Sequence, residues 1–222
     1  MTRWGMVIDL ARCIGCNACT LACKMEHGTP PDVYYTRVYT EEIGSFPDVQ
    51  TLYVPALCNH CEDAPCVRVC PTGATYKRDD GIVVVDQDKC IGCRYCMVAC
   101  PYNERFYLRK GSLDDGYHGE RSPFEDTKWQ WFTEGTVVKC NFCVHRVDQG
   151  LDPACVVTCV TDARVFGDLD DPESEVNTLI RKRGGMQLQP DAGTNPSVYY
   201  LEDKPELTTR GEERSVSDVV PA

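Results

Sequence analysis

The chain has 222 residues and a formal net charge of −11 at pH 7, a length that suits one compact domain or two small ones. It contains no dense Lys/Arg tract, which argues against nucleic acid as a partner. The longest apolar runs, such as residues 82–85, are far below the ~20 residues that a membrane-spanning helix needs. We therefore expect no direct membrane span.

Sixteen cysteines fall into four groups of four. The first and third groups have the spacing C-x2-C-x2-C-x3-C, which is the bacterial ferredoxin pattern for [4Fe–4S] clusters. Groups two and four keep the x3 spacing between their last two cysteines, so all four groups share one design. The pattern predicts four [4Fe–4S] clusters and hence a carrier of electrons. Groups one to four are Cys13, Cys16, Cys19, Cys23; Cys58, Cys61, Cys66, Cys70; Cys90, Cys93, Cys96, Cys100; and Cys140, Cys143, Cys155, Cys159.

Three alternative roles for the cysteines fit the spacing less well. A disulfide framework is disfavoured because three cysteines of group one are too crowded to pair, and disulfide-dense scaffolds are usually shorter. Zinc sites use two C-x2-C pairs for each metal rather than a triplet and a lone cysteine. Clusters that only hold the fold together are the third alternative, and a redox titration would separate them from electron carriers.

The elements between the groups are expected to be short. The predicted strand over residues 5–10 leads into group one, and the stretch 74–86 predicts a hairpin because Asp80-Gly81 is a strong turn signal. Short helices are expected over residues 19–26 and 96–100. Two long segments, 28–50 and 109–135, are interpreted as surface loops with a docking role. The tail is expected to contain a strand over 196–201 and a loosely ordered end over 211–222.

Proline residues indicate which groups belong together. In two-cluster ferredoxins the fourth cysteine of each run binds the other run's cluster, and a proline follows that cysteine. Four runs can pair in sequence order or in nested order. Pro71 and Pro101 mark groups two and three as one pair, which leaves groups one and four as the outer pair. Nested pairing predicts set A (Cys13, Cys16, Cys19, Cys159), set B (Cys140, Cys143, Cys155, Cys23), set C (Cys58, Cys61, Cys66, Cys100) and set D (Cys90, Cys93, Cys96, Cys70).

This pairing defines a fold class and its divisions. We expect an α+β protein built from duplicated bacterial-ferredoxin-like modules, as two pseudo-twofold two-cluster units with inserted loops and a C-terminal extension. The outer unit is 1–30 with 136–166, the inner unit is 51–108, the inserted loops are 31–50 and 109–135, and the extension is 167–222.

Residues next to the cysteines are expected to tune the clusters rather than bind them. Gly15 and Gly92 let backbone amides approach cluster sulfurs, and Ile14 and Ile91 are expected to shield clusters from water. Basic residues near ligand cysteines favour the reduced state. We expect no ligand role for His60 and His145, and packing or interface roles for Trp129, Trp131 and Phe132. The basic residues are Arg12, Lys24, Arg68, Lys89, Arg94, Lys139 and Arg146.

Several motifs together resemble the four-cluster iron–sulfur subunit of the dimethyl sulfoxide reductase family of molybdenum enzymes. The resemblance covers most of the chain and also supports the nested pairing. In some relatives one ligand cysteine is replaced, which gives a [3Fe–4S] centre, but this chain has no such replacement. The motifs lie at residues 13–19, 58–66, 70–74, 140–143, 153–155 and 166–172.

The resemblance implies a complex in which this chain has no catalytic site of its own. A large subunit with a bis-molybdopterin guanine dinucleotide cofactor would exchange electrons through it with a quinone-linked membrane subunit or a cytochrome. Residues 44–49 are similar to arsenate respiratory reductase small subunits, and 150–172 to polysulfide, thiosulfate and tetrathionate reductase partners. The substrate is not predicted, because the relay does not contact it. A free polyferredoxin serving several oxidoreductases is the alternative.

The compartment is left open by the sequence. Clusters are acquired in the cytoplasm, and the N-terminus shows neither a hydrophobic signal core nor a twin-arginine pair. We expect a protein that stays in the cytoplasm or is exported with a signal-bearing partner, and that meets a membrane only through partners.

Overall fold

A computed structural model describes residues 2–202 and 216–220 of the chain. Short helices and strands alternate along it. The strands are β1 Trp4–Asp9, β2 Thr36–Ser45, β3 Asp48–Leu57, β4 Thr75–Lys77, β5 Val83–Val85, β6 Phe106–Tyr107, β7 Val137–Val138, β8 Arg164–Asp168 and β9 Val198–Leu201. The helices are α1 Ala18–His27, α2 Pro65–Arg68, α3 Tyr95–Val98, α4 Pro123–Trp129, α5 Val144–Val147, α6 Ala154–Val157, α7 Glu175–Arg183 and α8 Val216–Val219, with a 3-10 turn at Pro190–Ala192.

The largest sheet of the described residues joins the two ends of the chain. Strand β1 lies in its middle, antiparallel to β8 and parallel to β9. Met6 and Ile8 of β1 pack in the main core, while Val7 points to the opposite face and packs with Val176 of α7. Both faces are therefore covered, which explains the uninterrupted apolar run in β1. The expected strands near residues 5–10 and 196–201 are confirmed.

The first long segment is not a loop. Strands β2 and β3 form an antiparallel hairpin with ten paired positions, from Thr36 opposite Leu57 to Ser45 opposite Asp48. The expectation of a surface loop over 28–50 is wrong. The burial pattern of β2 shows no regular alternation of buried and exposed side chains, so the sequence lacks the usual signature of a strand. The base of the hairpin is buried, whereas Phe46 at its tip is 93% exposed.

The second long segment, 109–135, was expected to be a loop, but it contains the helix α4. A capping box begins this helix, because the Ser122 hydroxyl accepts from the Glu125 N–H and Glu125 accepts from the Ser122 N–H. The buried Trp129 donates from Nε1 to the Gly28 carbonyl at 2.8 Å. Its expected packing role is confirmed, whereas Trp131 is 73% exposed.

The predicted hairpin and two of the predicted helices are present in the structure. Strands β4 and β5 pair as the predicted hairpin, and helices begin close to Cys19 and Cys96 as expected. Most of the tail end over 211–222 lies outside the described residues. Within it, α8 contacts β2 and buries Val216 and Val219. No helix in the described parts of the chain is long and apolar enough to cross a membrane.

Candidate iron–sulfur centre

All four cysteine groups begin with the same tight backbone turn. The second residue after the first cysteine of each group has a positive φ: 69° at Gly15, 44° at His60, 65° at Gly92 and 53° at Phe142. This left-handed conformation is unusual for residues other than glycine. Its repetition shows that one loop geometry is used four times, although only groups one and three have glycine at the position.

The two loops without glycine pack against each other. The rings of His60 and Phe142 stack with their centroids 3.8 Å apart, and both residues are buried. The His60 Nδ1 atom accepts a hydrogen bond from the Val83 N–H at 3.1 Å. This contact holds groups two and four together in the middle of the protein.

The loop of group three leaves no room for a side chain at Gly92. A Cβ atom added at Gly92 would lie 2.0 Å from the Gly135 carbonyl oxygen, whereas one at Gly73, which has a similar φ, meets nothing within 4 Å. Both alanine variants carry about 1 kcal/mol of backbone strain, and G92A adds about 1–3 kcal/mol of overpacking. Anaerobic thermal unfolding of the cluster-loaded protein should show a clearly lower Tm for G92A than for G73A. Equal Tm values for the two variants would contradict this contact.

Cysteines of groups one and four lie together. The Cys13 thiol interacts electrostatically with Cys19 and Cys159. Burial raises the pKa of the Cys23 thiol well above its ordinary value, and the first three cysteines of group four raise it further. Thus the fourth cysteine of each group lies near the first cysteines of the other.

The fourth cysteine of group three, Cys100, lies with the first three cysteines of group two. The cysteines of set C all line one small cavity. Burial raises the pKa of the Cys61 thiol to about 12, and the other cysteines of set C contribute to this increase. In set D, Cys96 interacts with Cys90. Four sulfur donors converge on this cavity, and His60 and Arg105 also line it. The four thiols suit an iron–sulfur cubane.

The sets also lie in a row. Three electrostatic contacts connect neighbouring sets: Cys155 with Cys19, Cys140 with Cys58, and Cys96 with Cys66. In the order A, B, C and D, each contact therefore joins one set to the next. Proximity of this kind favours transfer of electrons from one centre to another, because transfer weakens steeply with distance.

The two ends of the row reach the surface. Cys16 in set A and Cys93 in set D are the exposed cysteines, whereas all four cysteines of set B are buried. Ile14 and Ile91 are 57% and 67% exposed. That these side chains shield the clusters from water stays a prediction.

Burial of the thiols is consistent with cluster ligation. Burial disfavours the thiolate and raises the pKa of Cys140 well above its ordinary value, but a bound metal deprotonates a coordinating thiol outright. No three His, Cys, Asp or Glu side chains among residues 2–202 and 216–220 are close enough to hold one metal ion. A cubane makes no such demand, because its thiolates bind different irons.

Two buried arginines near the cysteines were not predicted from the sequence. Arg105 and Arg164 are each 3% exposed, and both interact electrostatically with several thiols. Each follows the last cysteine of its group by five residues, and that repeat was the available signal. Among the seven basic residues expected to tune clusters, Lys139 is the buried one.

Two histidines lie close to the cysteines of group four or to residues beside them. His27 Nε2 lies 3.2 Å from the Cys143 sulfur, and burial lowers the pKa of His27 to about 4, so a neutral ring can donate its N–H to the thiolate. His145 lies 2.7 Å from a Glu26 oxygen. Arg146 also pairs with Glu26, at 3.2 Å.

One buried carboxyl group makes stability depend on pH. Burial raises the pKa of Glu104 from 4.5 to about 7, although Arg37, 3.3 Å away, opposes this. The folded state then binds more protons than the unfolded state between these values, so stability falls as pH rises through this window. From about pH 6 to 8 the free energy of unfolding falls by about 1 kcal/mol, which lowers Tm by about 2–4 °C.

Anaerobic melting of cluster-loaded E104Q should show a smaller decline in Tm over the same range of pH, because the amide does not titrate. The variant Glu173→Gln, at an exposed position, serves as the control and should keep the decline of the original protein. A decline in E104Q equal to that of the original protein would show that another group is responsible.

Models of iron–sulfur domains and several known proteins match most of the chain. A family model described as a 4Fe-4S dicluster domain matches residues 49–113 and 117–169, and another of the same description matches 12–75. A protein of Halobacterium salinarum named as a candidate dimethyl sulfoxide reductase iron-sulfur subunit is 47% identical, over 90% of this chain and 79% of its own. A selenate reductase subunit of Mesobacillus selenatarsenatis is 45% identical, over 90% and 72%. The arsenate respiratory reductase iron-sulfur subunit of a Shewanella species is 44% identical, over 90% and 96%.

The mixed fold and the four cysteine sets define a ferredoxin-like carrier of several clusters. The chain belongs to the family of iron–sulfur subunits of dimethyl sulfoxide reductase-type oxidoreductases. It is accordingly an electron-transfer subunit with four [4Fe–4S] clusters and no catalytic role of its own.

Proposed function

We propose that this chain relays electrons between a bis-molybdopterin guanine dinucleotide catalytic subunit and a quinone-linked membrane subunit or a cytochrome. The clusters supply one-electron carriers, and the chain supplies their order and surroundings. The observation that carries the proposal is the row of four cysteine sets with an exposed thiol at each end. A relay between two partners needs two accessible ends, whereas its interior benefits from exclusion of water.

The ligand sets A to D are part of this proposal. Electrostatic contacts of Cys13 and Cys23 with group four support the exchange of cysteines in the outer pair. The cavity lined by all four cysteines of set C supports exchange in the inner pair. Pairing of β1 with β8 brings 1–30 and 136–166 together, which supports the outer unit. The inner unit 51–108 and the pseudo-twofold form of each unit belong to the same proposal.

Names of relatives support a reductase partner. These names include sulfite dehydrogenase, tetrathionate reductase and polysulfide reductase subunits, and one is a menaquinol oxidoreductase subunit. The variety of these names leaves the substrate of the catalytic partner open. Any contact with a membrane is made through such a partner, whether the complex stays in the cytoplasm or is exported.

The test is anaerobic purification of the chain from its native cells, with mass spectrometry and a molybdenum assay on each fraction. We expect a large molybdenum-containing subunit in stoichiometric amount. Reduction of the clusters by that subunit's substrate, or their oxidation by a quinone analogue, would then show the direction of flow. A brown protein that purifies alone, without molybdenum in any fraction containing it, would favour a free polyferredoxin instead.

A further inference from the structure

Three buried cations lie beside the cysteine sets without a carboxylate partner. Arg105 and Arg164 are 3% exposed and Lys139 is 4% exposed. None of them takes part in an ion pair within residues 2–202 and 216–220. A buried charge is costly unless an opposite charge accompanies it. These three groups therefore require negative charge from a source other than carboxylates of residues 2–202 and 216–220.

Arg164 lies between sets A and B. One of its guanidinium nitrogens donates to the Thr36 hydroxyl at 2.9 Å, and the other contacts the Met6 sulfur at 3.9 Å, both of which are uncharged. Its charge acts on Cys155 of set B and on Cys19 of set A.

Arg105 occupies the corresponding place between sets C and D. Its Nη1 atom donates to the Thr75 hydroxyl at 3.2 Å, and its buried Nη2 atom has no hydrogen-bond partner in the described part of the chain. Its charge acts on Cys66 of set C and Cys96 of set D.

Lys139 lies between sets B and C. Its ammonium donates to the Val83 carbonyl and, at 2.7 Å, to the Cys140 carbonyl. Val83 lines the cavity of set C, and Cys140 belongs to set B. Carbonyl oxygens satisfy the hydrogens of the ammonium but do not neutralise its charge.

We propose that Arg164, Lys139 and Arg105 are counter-charges that raise the reduction potentials of the clusters on either side of them, one cation for each step of the row. This inference rests on the proposed ligand sets. A thiolate-bound cluster is an anion that becomes more negative on reduction, so a fixed cation in a poorly screened interior favours the reduced state. One cation shared by two clusters raises the reduction potentials of both. The difference between the two potentials then stays small, so the transfer of an electron from one cluster to the other is not strongly unfavourable.

The experiment is a potentiometric titration, followed by electron paramagnetic resonance, of the purified cluster-loaded protein and of Arg164→Gln, Lys139→Gln and Arg105→Gln. In each variant two of the four midpoint potentials should fall by at least about 59 mV, a tenfold change in the one-electron equilibrium. The pairs should overlap as a row: Lys139→Gln shares one cluster with each arginine variant, and the arginine variants share none.

Matched controls separate charge from structure. Arg12 and Arg94 lie next to Cys13 and Cys93 but are exposed, so R12Q and R94Q should shift potentials less than tenfold because water screens them. The variants R164K and R105K keep the charge and should retain the original potentials more closely than the glutamine variants. If iron analysis shows that a glutamine variant does not hold four clusters, the lysine variant of the same arginine is measured in its place.

Unchanged potentials in glutamine variants that hold four clusters would overturn the inference. So would lysine variants that shift as far as the glutamine variants, or an equal shift of all four potentials. None of these results would affect the isolation of a molybdenum-containing partner, so failure of this inference and failure of the relay are distinguishable.

Discussion

Removing iron from the protein is expected to unfold most of the chain. Eight cysteines from the four groups belong to the main buried core, so the clusters are part of the core. Helices α2, α3, α5 and α6 have only four residues each, too few for stability in isolation. Two-stranded sheets such as β4–β5 are also marginal alone. Structural metal sites contribute about 10–16 kcal/mol in small domains, as much as the whole stability of a typical protein.

The measurement is near-ultraviolet circular dichroism and thermal melting after anaerobic iron removal with a chelator. We expect loss of the near-ultraviolet signal and of the cooperative transition. Untreated protein in the same buffer is the control, and adding iron and sulfide under reducing conditions should restore both signals. A cooperative melt in the iron-free chain would show that β1, β8, β9 and α7 form a core that is stable without the clusters.

Replacing Cys23 with serine is expected to disturb the same cluster as replacing Cys140. Under nested pairing both residues bind cluster B, although one belongs to group one and the other to group four. The variant Cys13→Ser should instead disturb cluster A. A changed or lost ligand alters one of four paramagnetic centres and, when the whole cluster is lost, lowers the iron content by about a quarter.

Electron paramagnetic resonance of the reduced variants and iron analysis test this expectation. Cys23→Ser and Cys140→Ser should remove the same spectral component, and Cys13→Ser a different one. The inner pair offers a second comparison, because Cys100→Ser should match Cys58→Ser rather than Cys90→Ser. If Cys23→Ser matched Cys13→Ser, each group would bind its own cluster. If it matched a variant of group two, the runs would pair in sequence order.

Local spacing made the cysteine groups readable from the sequence. In groups one and three, three thiols lie within seven residues and can reach one cubane whatever the rest of the chain does. Groups two and four share the x3 spacing of their last two cysteines, so the number and kind of clusters follow from the spacing. The Asp80-Gly81 turn and the apolar run of β1 are likewise local signals, and the structure has a hairpin and a buried strand there.

Other features depend on contacts between distant residues. The β2–β3 hairpin was missed because its stability comes from cross-strand pairs and a buried base rather than from a continuous apolar pattern. His60 and Phe142 share the left-handed loop conformation of Gly15 and Gly92 and stack on each other, and no glycine marks those positions in the sequence.

The sequence by itself determined that this protein holds four iron–sulfur clusters and transfers electrons, because ligand spacing is a local property of the chain. Tertiary structure decided which cysteines lie at the two surfaces and which thiols of distant groups meet. It also decided that Arg105, Lys139 and Arg164 are buried between the sets, since burial and charge pairing arise only when remote segments pack together.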